Sequence, residues 1–336
     1  MFNRRTLFII GAGASAEVGF PVGKTLAETI GKKADIRLEH GFKPIGLGDL
    51  ELFSQITQNR RVDVNEYQYA GWRIRDGVGF AQSIDDFLDQ HRSDQRINLY
   101  GKAALVQAIL EAERKSKLFF EIHNPDTRFT PDKFADTWFV KFMYMLGRGV
   151  PKENVREIFD HVSFIVFNYD RCLEHFLRFA LQKVYGIDDD EARDIVSDLT
   201  VIHPYGVVSP KIPFGHTSAN YVELASKIKT YTEQLGAADI ISEVREEIIR
   251  AECIVFLGFA YHSQNMLILK PATTMPHKPI FGTAYNMSES DVRVVLHDLS
   301  NSFFAATMLE GLIRLENKLT AAALFDNYAK SLTGGD

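Results

Sequence analysis

The stretch Leu7-Phe-Ile-Ile-Gly11-Ala-Gly13-Ala-Ser15-Ala-Glu-Val-Gly19-Phe-Pro21 narrows the folds open to this chain more than any other. An apolar, strand-like run breaks into a loop of glycine, alanine and serine, and a helix-compatible segment follows over residues 22–30. Strand, tight glycine turn and helix together present backbone N–H groups to a phosphate. Gly11 would permit the turn and Gly13 the close approach of a diphosphate, with Ala16 where a third small residue belongs. A plain strand-to-helix turn fits the same residues. Met1-Phe-Asn-Arg-Arg ahead of the apolar run also has the outline of a signal peptide, although two glycines interrupt that run.

At 336 residues the chain can hold one large α/β domain or two ordinary ones. A hydrophobic content of 46% with 24% charged residues is that of a globular protein. The net charge of -6 gives no electrostatic reason to expect direct nucleic-acid binding, and no apolar run approaches membrane-spanning length. The two cysteines, Cys172 and Cys253, lie in apolar contexts and read as buried thiols of a reducing compartment, with the cytoplasm as the default. Two thiols cannot build a four-cysteine zinc site.

Between residues 32 and 80, glycines punctuate short segments that carry no recognisable chemistry. Ser83, with Asp86 three residues on, reads as a helix cap, and Asp85 and Asp86 as helix-start acids rather than catalytic carboxylates. Leu99, Ala103, Val106 and Leu110 recur at helical spacing and predict an amphipathic helix over 96–115. Thr130-Pro131 predicts the start of the next helix, with Ala135, Phe139, Phe142 and Leu146 on one face. The aromatic residues Trp138, Phe139, Phe142 and Tyr144 suit core packing, or an apolar surface for self-association or a partner. Residues 31–154 therefore read as a helical insertion beside a core built from 1–30 and 155–336.

Strands are expected near 5–10, 162–167, 199–203, 253–257 and 278–282. Helices are expected over 171–184, from 188, over 220–235 and 239–250, and at 308–315 and 319–329, with 292–299 as a surface segment. This alternation predicts one α/β domain with a Rossmann-like, doubly wound parallel sheet and a helical insertion layer. Gly11, Asn168, His203 and Gly258 all fall at carboxyl ends of successive strands, the edge where open α/β sheets bind ligands.

In order, Gly11-Ala-Gly13-Ala-Ser15 with Gly19-Phe-Pro21, Phe167-Asn-Tyr-Asp170, His203 and Gly258-Phe259-Ala resemble the motifs of the sirtuins. The nearest likeness is to the bacterial sirtuin-like branch whose members hydrolyse NAD in antiviral defence. It covers about the first thirty residues and much of 160–290, and leaves the helical insertion unmatched. The resemblance implies that Gly11, Ala12, Gly13 and Ser15 wrap the diphosphate of NAD, and that Pro21 belongs to the same cofactor-binding set. It implies that Asn168 holds the nicotinamide ribose or a water beside it, and that Asp170 binds the carboxamide or fixes the loop. His203 would be the general base acting through a ribose hydroxyl. Gly258, with Phe259 beside it, would let NAD pass over the sheet, and Thr283 and Asn286 would reach the adenosine ribose.

The activity so implied is an NAD glycohydrolase that releases nicotinamide and ADP-ribose, with NAD as substrate and no metal, acting as a triggered antiphage effector. The partners implied are further copies of the chain and a defence protein such as a helicase, another ATPase or a short Argonaute. Breaking the ribose–nicotinamide bond builds positive charge on the sugar, as in glycoside hydrolysis, and the leaving group departs neutral. Ribose positioning, a polarised hydroxyl and an oriented nucleophile are then what help. An imidazole suits the base role near neutrality, and an amide offers donor and acceptor without charge. The chain departs from protein-deacetylating sirtuins in three places. Val22-Gly23-Lys24 follows Pro21 where those have Asp-Phe-Arg, Pro204-Tyr205 separates His203 from Gly206, and the zinc-binding cysteines are missing. Deacylation or ADP-ribosyl transfer to a protein, and sensing of NAD or ADP-ribose without turnover, stand as the alternatives.

Overall fold

The computed structural model describes residues 2–39, 43–58, 63–122, 124, 127–209, 211–235, 238–304 and 311–334. Six strands form one all-parallel sheet: β1 Thr6–Ile10, β2 Val162–Val166, β3 Val201–Ile202, β4 Cys253–Leu257, β5 Ile280–Thr283 and β6 Ile313–Glu316. Their spatial order is β3-β2-β1-β4-β5-β6. The chain thus starts at the centre, builds one half outward, and returns past β1 to build the other. That is the Rossmann-like, doubly wound order, with its switch point between β1 and β4. Every residue of β1 and β4 is buried, which is why both read as unbroken apolar runs.

Aromatic side chains seal one side of the sheet. Phe8 of β1 stacks on Phe164 of β2 at 5.2 Å and meets Phe142 edge-on at 5.3 Å. Phe325, from the C-terminal helix Ala321–Thr333, closes the same cluster. Trp138, Phe139 and Phe142 are at most 1% exposed, so the helix Trp138–Gly147 packs directly on the sheet although it lies inside the 31–154 stretch. The apolar association surface expected from these residues is therefore core; of the four, Tyr144 alone is exposed.

Local rules placed some boundaries wrongly. Pro131 opens only a short 3-10 turn, Pro131–Lys133, and the α-helix starts at Trp138. The reason is distant: Glu17, just past the glycine loop, accepts the Trp138 N–H at 2.7 Å and the Ala322 N–H at 2.8 Å. One carboxylate thereby satisfies the first turns of two helices. Burial pushes its pKa up even though those two N–H groups pull it down. Glu17→Ala is expected to destabilise the protein by about 2 kcal/mol, the loss of two caps of about 1 kcal/mol each. Chemical denaturation measures this, and an unchanged midpoint would refute the capping role.

The segment expected as one helix over 220–235 is two, Tyr221–Ala225 and Tyr231–Leu235. The chain between them is pinned to the loop after β3, where the Lys229 N–H donates to Tyr205 O at 3.0 Å. Residues 313–315, expected within a helix over 308–315, belong to the edge strand β6, with Ile313 paired to Ile280; residues 308–310 of that expected helix lie outside the described residues. Residues 292–299 belong to a full helix, Glu289–Phe304, that buries Leu299 and Phe303. By contrast the helix Gln95–Lys115 forms where its periodicity predicts, capped by Asp94, and helices of the insertion gather round it. Among the described residues no helix is long and apolar enough to cross a membrane.

Candidate functional site at the carboxyl edge of the sheet

Register decides what meets at the switch point. Ile10 pairs with Val166 on one side and Leu257 on the other, so β1, β2 and β4 end level. The residues that follow, Gly11, Phe167-Asn168 and Gly258, emerge side by side.

Gly11 is the extended cap residue of a single helical turn, Ala12–Ala16. Its N–H donates to Leu257 O at 2.9 Å, the Gly13 N–H to Gly258 O at 3.0 Å, and the Ala14 N–H to Gly11 O at 3.0 Å. A Cβ on Gly11 would lie 2.6 Å from Gly258 O, and one on Gly13 would lie 2.8 Å from Gly258 Cα. Gly258 has φ +58°, and a Cβ there would lie 2.0 Å from Ala14 N. The three glycines interlock, so their first physical use is to let two turns touch backbone to backbone. Thr283, at the end of β5, holds the arrangement from beneath by accepting the Gly258 N–H at 2.8 Å.

Asn168 joins β2 to this loop. Its Nδ2 donates to Gly11 O at 3.1 Å and to Ser15 Oγ at 2.9 Å. The Ser15 hydroxyl in turn bonds Asp170, whose Oδ1 accepts the Cys172 N–H at 3.0 Å and so starts the helix Cys172–Tyr185. Asn168, Asp170 and Ser15 are 6%, 5% and 2% exposed, a closed polar chain rather than an open one. Burial raises the Asp170 carboxyl, with the Cys172 N–H and the Ser15 hydroxyl opposing.

His203 stands just past β3. Its Nε2 lies 2.8 Å from Glu174 Oε1, and its Nδ1 lies 3.4 Å from Asn168 O. Burial works against the imidazolium, but the hydrogen bond and charge of Glu174 outweigh it and hold the His203 pKa above the usual 6.5. Burial likewise works to raise Glu174, yet His203 holds that carboxyl below its ordinary value.

The remaining expected residues are placed as follows. Phe259 is buried, in T-shaped contact with Phe167 at 5.2 Å. Pro21 is half-buried beside buried Phe20. Ala12 is exposed at the start of the helical turn. Asn286 is exposed in a left-handed turn after β5, its N–H bonded to Asn317 O at 3.0 Å. Gly11, Gly13, Ser15, Asn168, Asp170, His203, Gly258 and Thr283 are linked through the contacts above; Pro21 and Asn286 enter none of them.

Two carboxylates, Glu174 and Glu113, escaped the sequence reading, and a third, Asp85, was read only in part. Glu174 is the partner of His203. Asp85 does sit in the first turn after Ser83, whose Oγ accepts the Asp86 N–H at 3.1 Å, but its own carboxylate takes the hydroxyl of Tyr169. Glu113, fully buried on the helix Gln95–Lys115, holds Arg171, which clamps the carbonyl of Ser209 at 2.9 Å. The helical insertion therefore touches the Asn168–Arg171 segment at two points. Glu174 stands in the first turn of the helix Cys172–Tyr185, but its partner His203 lies 29 residues further on, so the sequence carried no signal for the pair. The pairings of Asp85 with Tyr169 and of Glu113 with Arg171 had none either, because the partners are remote in sequence.

No protein-family model matches the chain, and no curated protein matches it. Two cavities, one of about 280 Å³ between Asp49 and Gln107 of the helical layer and Tyr221 outside it, and one of about 410 Å³ beside Arg73, Phe80 and His91 within the layer, are lined by none of the strand-end residues. Among the described residues no group of three or more His, Cys, Asp or Glu side chains is arranged for a metal. Cys172 and Cys253 are free and buried, and burial pushes the Cys253 thiol up to about 11.

Proposed function

We propose that the chain is an NAD glycohydrolase that releases nicotinamide and ADP-ribose at the carboxyl edge of its sheet, in the service of antiphage defence. The observation that carries this is the level ending of β1, β2 and β4, which gathers the glycine loop, Asn168 and Gly258 at the switch point, with Asp170 beside them and His203 reaching Asn168 from the neighbouring edge strand β3. These are the residues on which the sirtuin resemblance rests, and the motifs are far apart in sequence.

Each residue takes the task its surroundings allow. The N–H groups of Gly11, Gly13 and Ala14 are bonded within the protein, so exposed Ala12 offers the loop's approach to a diphosphate. Asn168 supplies an amide at the ribose, held by Gly11 and Ser15. Asp170 and Ser15 hold that amide and the helix start in place. His203 takes the proton of a ribose hydroxyl. NAD, when bound, supplies the scissile glycosidic bond.

The burial of Asn168 and Asp170 supports a resting arrangement that must open before turnover, consistent with a triggered effector. The same burial favours a second reading, a module that binds NAD or ADP-ribose without cleaving it. Nicotinamide release from NAD, followed by chromatography over a range of protein concentrations, separates the two; binding without release under every condition would leave the sensor reading alone. Ala12→Glu tests the placement, because it sets a negative charge on the exposed side of the loop without entering the glycine interlock. It is expected to weaken NAD binding about ten-fold or more through like-charge repulsion. Unchanged affinity in this variant would remove the diphosphate from the loop.

A further inference from the structure

We infer that Glu174 is a positioning residue that fixes His203 as the Nε2–H tautomer and leaves Nδ1 as the atom that accepts the substrate proton. The role in turnover rests on the NAD glycohydrolase reading; the tautomer itself does not. An ionised carboxylate only accepts hydrogen bonds, so the nitrogen 2.8 Å from Glu174 Oε1 must carry the proton. The other nitrogen faces Asn168 O, a carbonyl, at 3.4 Å. That contact is long, and in the neutral ring it sets a lone pair against an acceptor. It is therefore the nitrogen from which a hydroxyl proton has most to gain, and it lies at the Asn168 strand end.

The proton balance is simple. A hydroxyl O–H bond breaks and its electron pair stays on the ribose oxygen, beside the positive charge that develops on the sugar; an Nδ1–H bond forms from the imidazole lone pair, and the imidazolium donates to Glu174 from Nε2. The Glu174 carboxylate already stands beside Nε2, so charge formed on the ring is met by a group in place. Glu174 is directed at this task, because its second oxygen, Oε2, is buried and has no hydrogen-bond partner. The charges that act on the pair are Asp170, which favours the imidazolium, and Arg171, which favours the Glu174 carboxylate. Cys172, on the same turn, stays a neutral thiol, its pKa pushed up by burial.

The signs follow. The raised His203 pKa puts the protonated ring below it and the competent base above it, so activity rises with pH through a value above 6.5. Glu174→Gln keeps an oxygen acceptor for Nε2–H but removes the charge. It is expected to move the acidic limb to lower pH and to reduce kcat about 10- to 100-fold, with KM changed by no more than about two-fold.

Nitrogen-15 NMR of the full chain, with the His203 signal assigned by its loss in His203→Gln, reads the tautomer and the titration directly. The expected result is an Nε2–H ring whose pKa falls in Glu174→Gln. An Nδ1–H tautomer in the unaltered protein, or a His203 pKa unmoved by Glu174→Gln, would overturn the inference. The tautomer measurement needs no Glu174 variant, so poor folding of that variant does not spare the idea. A protein that never releases nicotinamide yet gives the expected spectra would refute the glycohydrolase reading and retain the Glu174–His203 assignment.

Discussion

Asn168→Ala is expected to lower nicotinamide release by about 100-fold or more, the scale seen when a preorganised hydrogen-bonding group is removed from a reacting centre. In the resting arrangement the amide of Asn168 spends its two N–H groups on Gly11 O and Ser15 Oγ, which leaves its carbonyl oxygen for the ribose until the arrangement opens. Its removal also has a structural effect: two buried oxygens lose a donor, at about 1–3 kcal/mol. Turnover must therefore be expressed per folded molecule, with the folded fraction read from circular dichroism and a melting curve. Asn168→Asp separates the two effects. It preserves shape but turns an acceptor toward Gly11 O, so it should damage both stability and turnover, whereas Ala chiefly removes the donor. Near-normal turnover in folded Asn168→Ala protein would sink the proposed site, whatever the fate of His203.

The sequence revealed the sheet's centre better than its margins, for a physical reason. β1 and β4 are buried on both faces and read as plain apolar runs, whereas β6 alternates Ile313 and Leu315 with Arg314 and Glu316 at a sheet edge. Four alternating residues are too short a pattern to outweigh neighbouring helical signals. Pro131 satisfied the local rule for a helix start, but the start was chosen by Glu17 from another part of the chain. The cap at Ser83 was read correctly and incompletely, because Asp85 also answers to Tyr169. In the site, strand ends were legible because each motif follows its own apolar run. The pairing of His203 with Glu174 was not, since it depends on how β3 lies against the helix that follows β2.

The glycine loop is where the two kinds of reading compete, and Gly258→Ala weighs them. The sequence assigns these glycines to a ligand; the structure gives them a use without one, since Gly11, Gly13 and Gly258 would each collide with the opposite turn if given a Cβ. At Gly258 two penalties coincide: φ of +58° and a Cβ 2.0 Å from Ala14 N. Gly186, which ends the helix Cys172–Tyr185 at φ +61°, has nothing within 4 Å of its Cβ position and bears only the first. Gly186→Ala should therefore destabilise the protein by about 1–2 kcal/mol, the left-handed penalty alone. Gly258→Ala should exceed about 4 kcal/mol, in the range reserved for overpacking of a rigid core. The atoms it would strike are backbone, which cannot swing aside as a side chain can. Equal losses in the two variants, measured by denaturation, would mean that the turns separate readily and that the interlock is soft. A much larger loss at Gly258 would mean that the loop is rigid, and that any ligand crossing the sheet edge must pass over the interlocked turns and not between them.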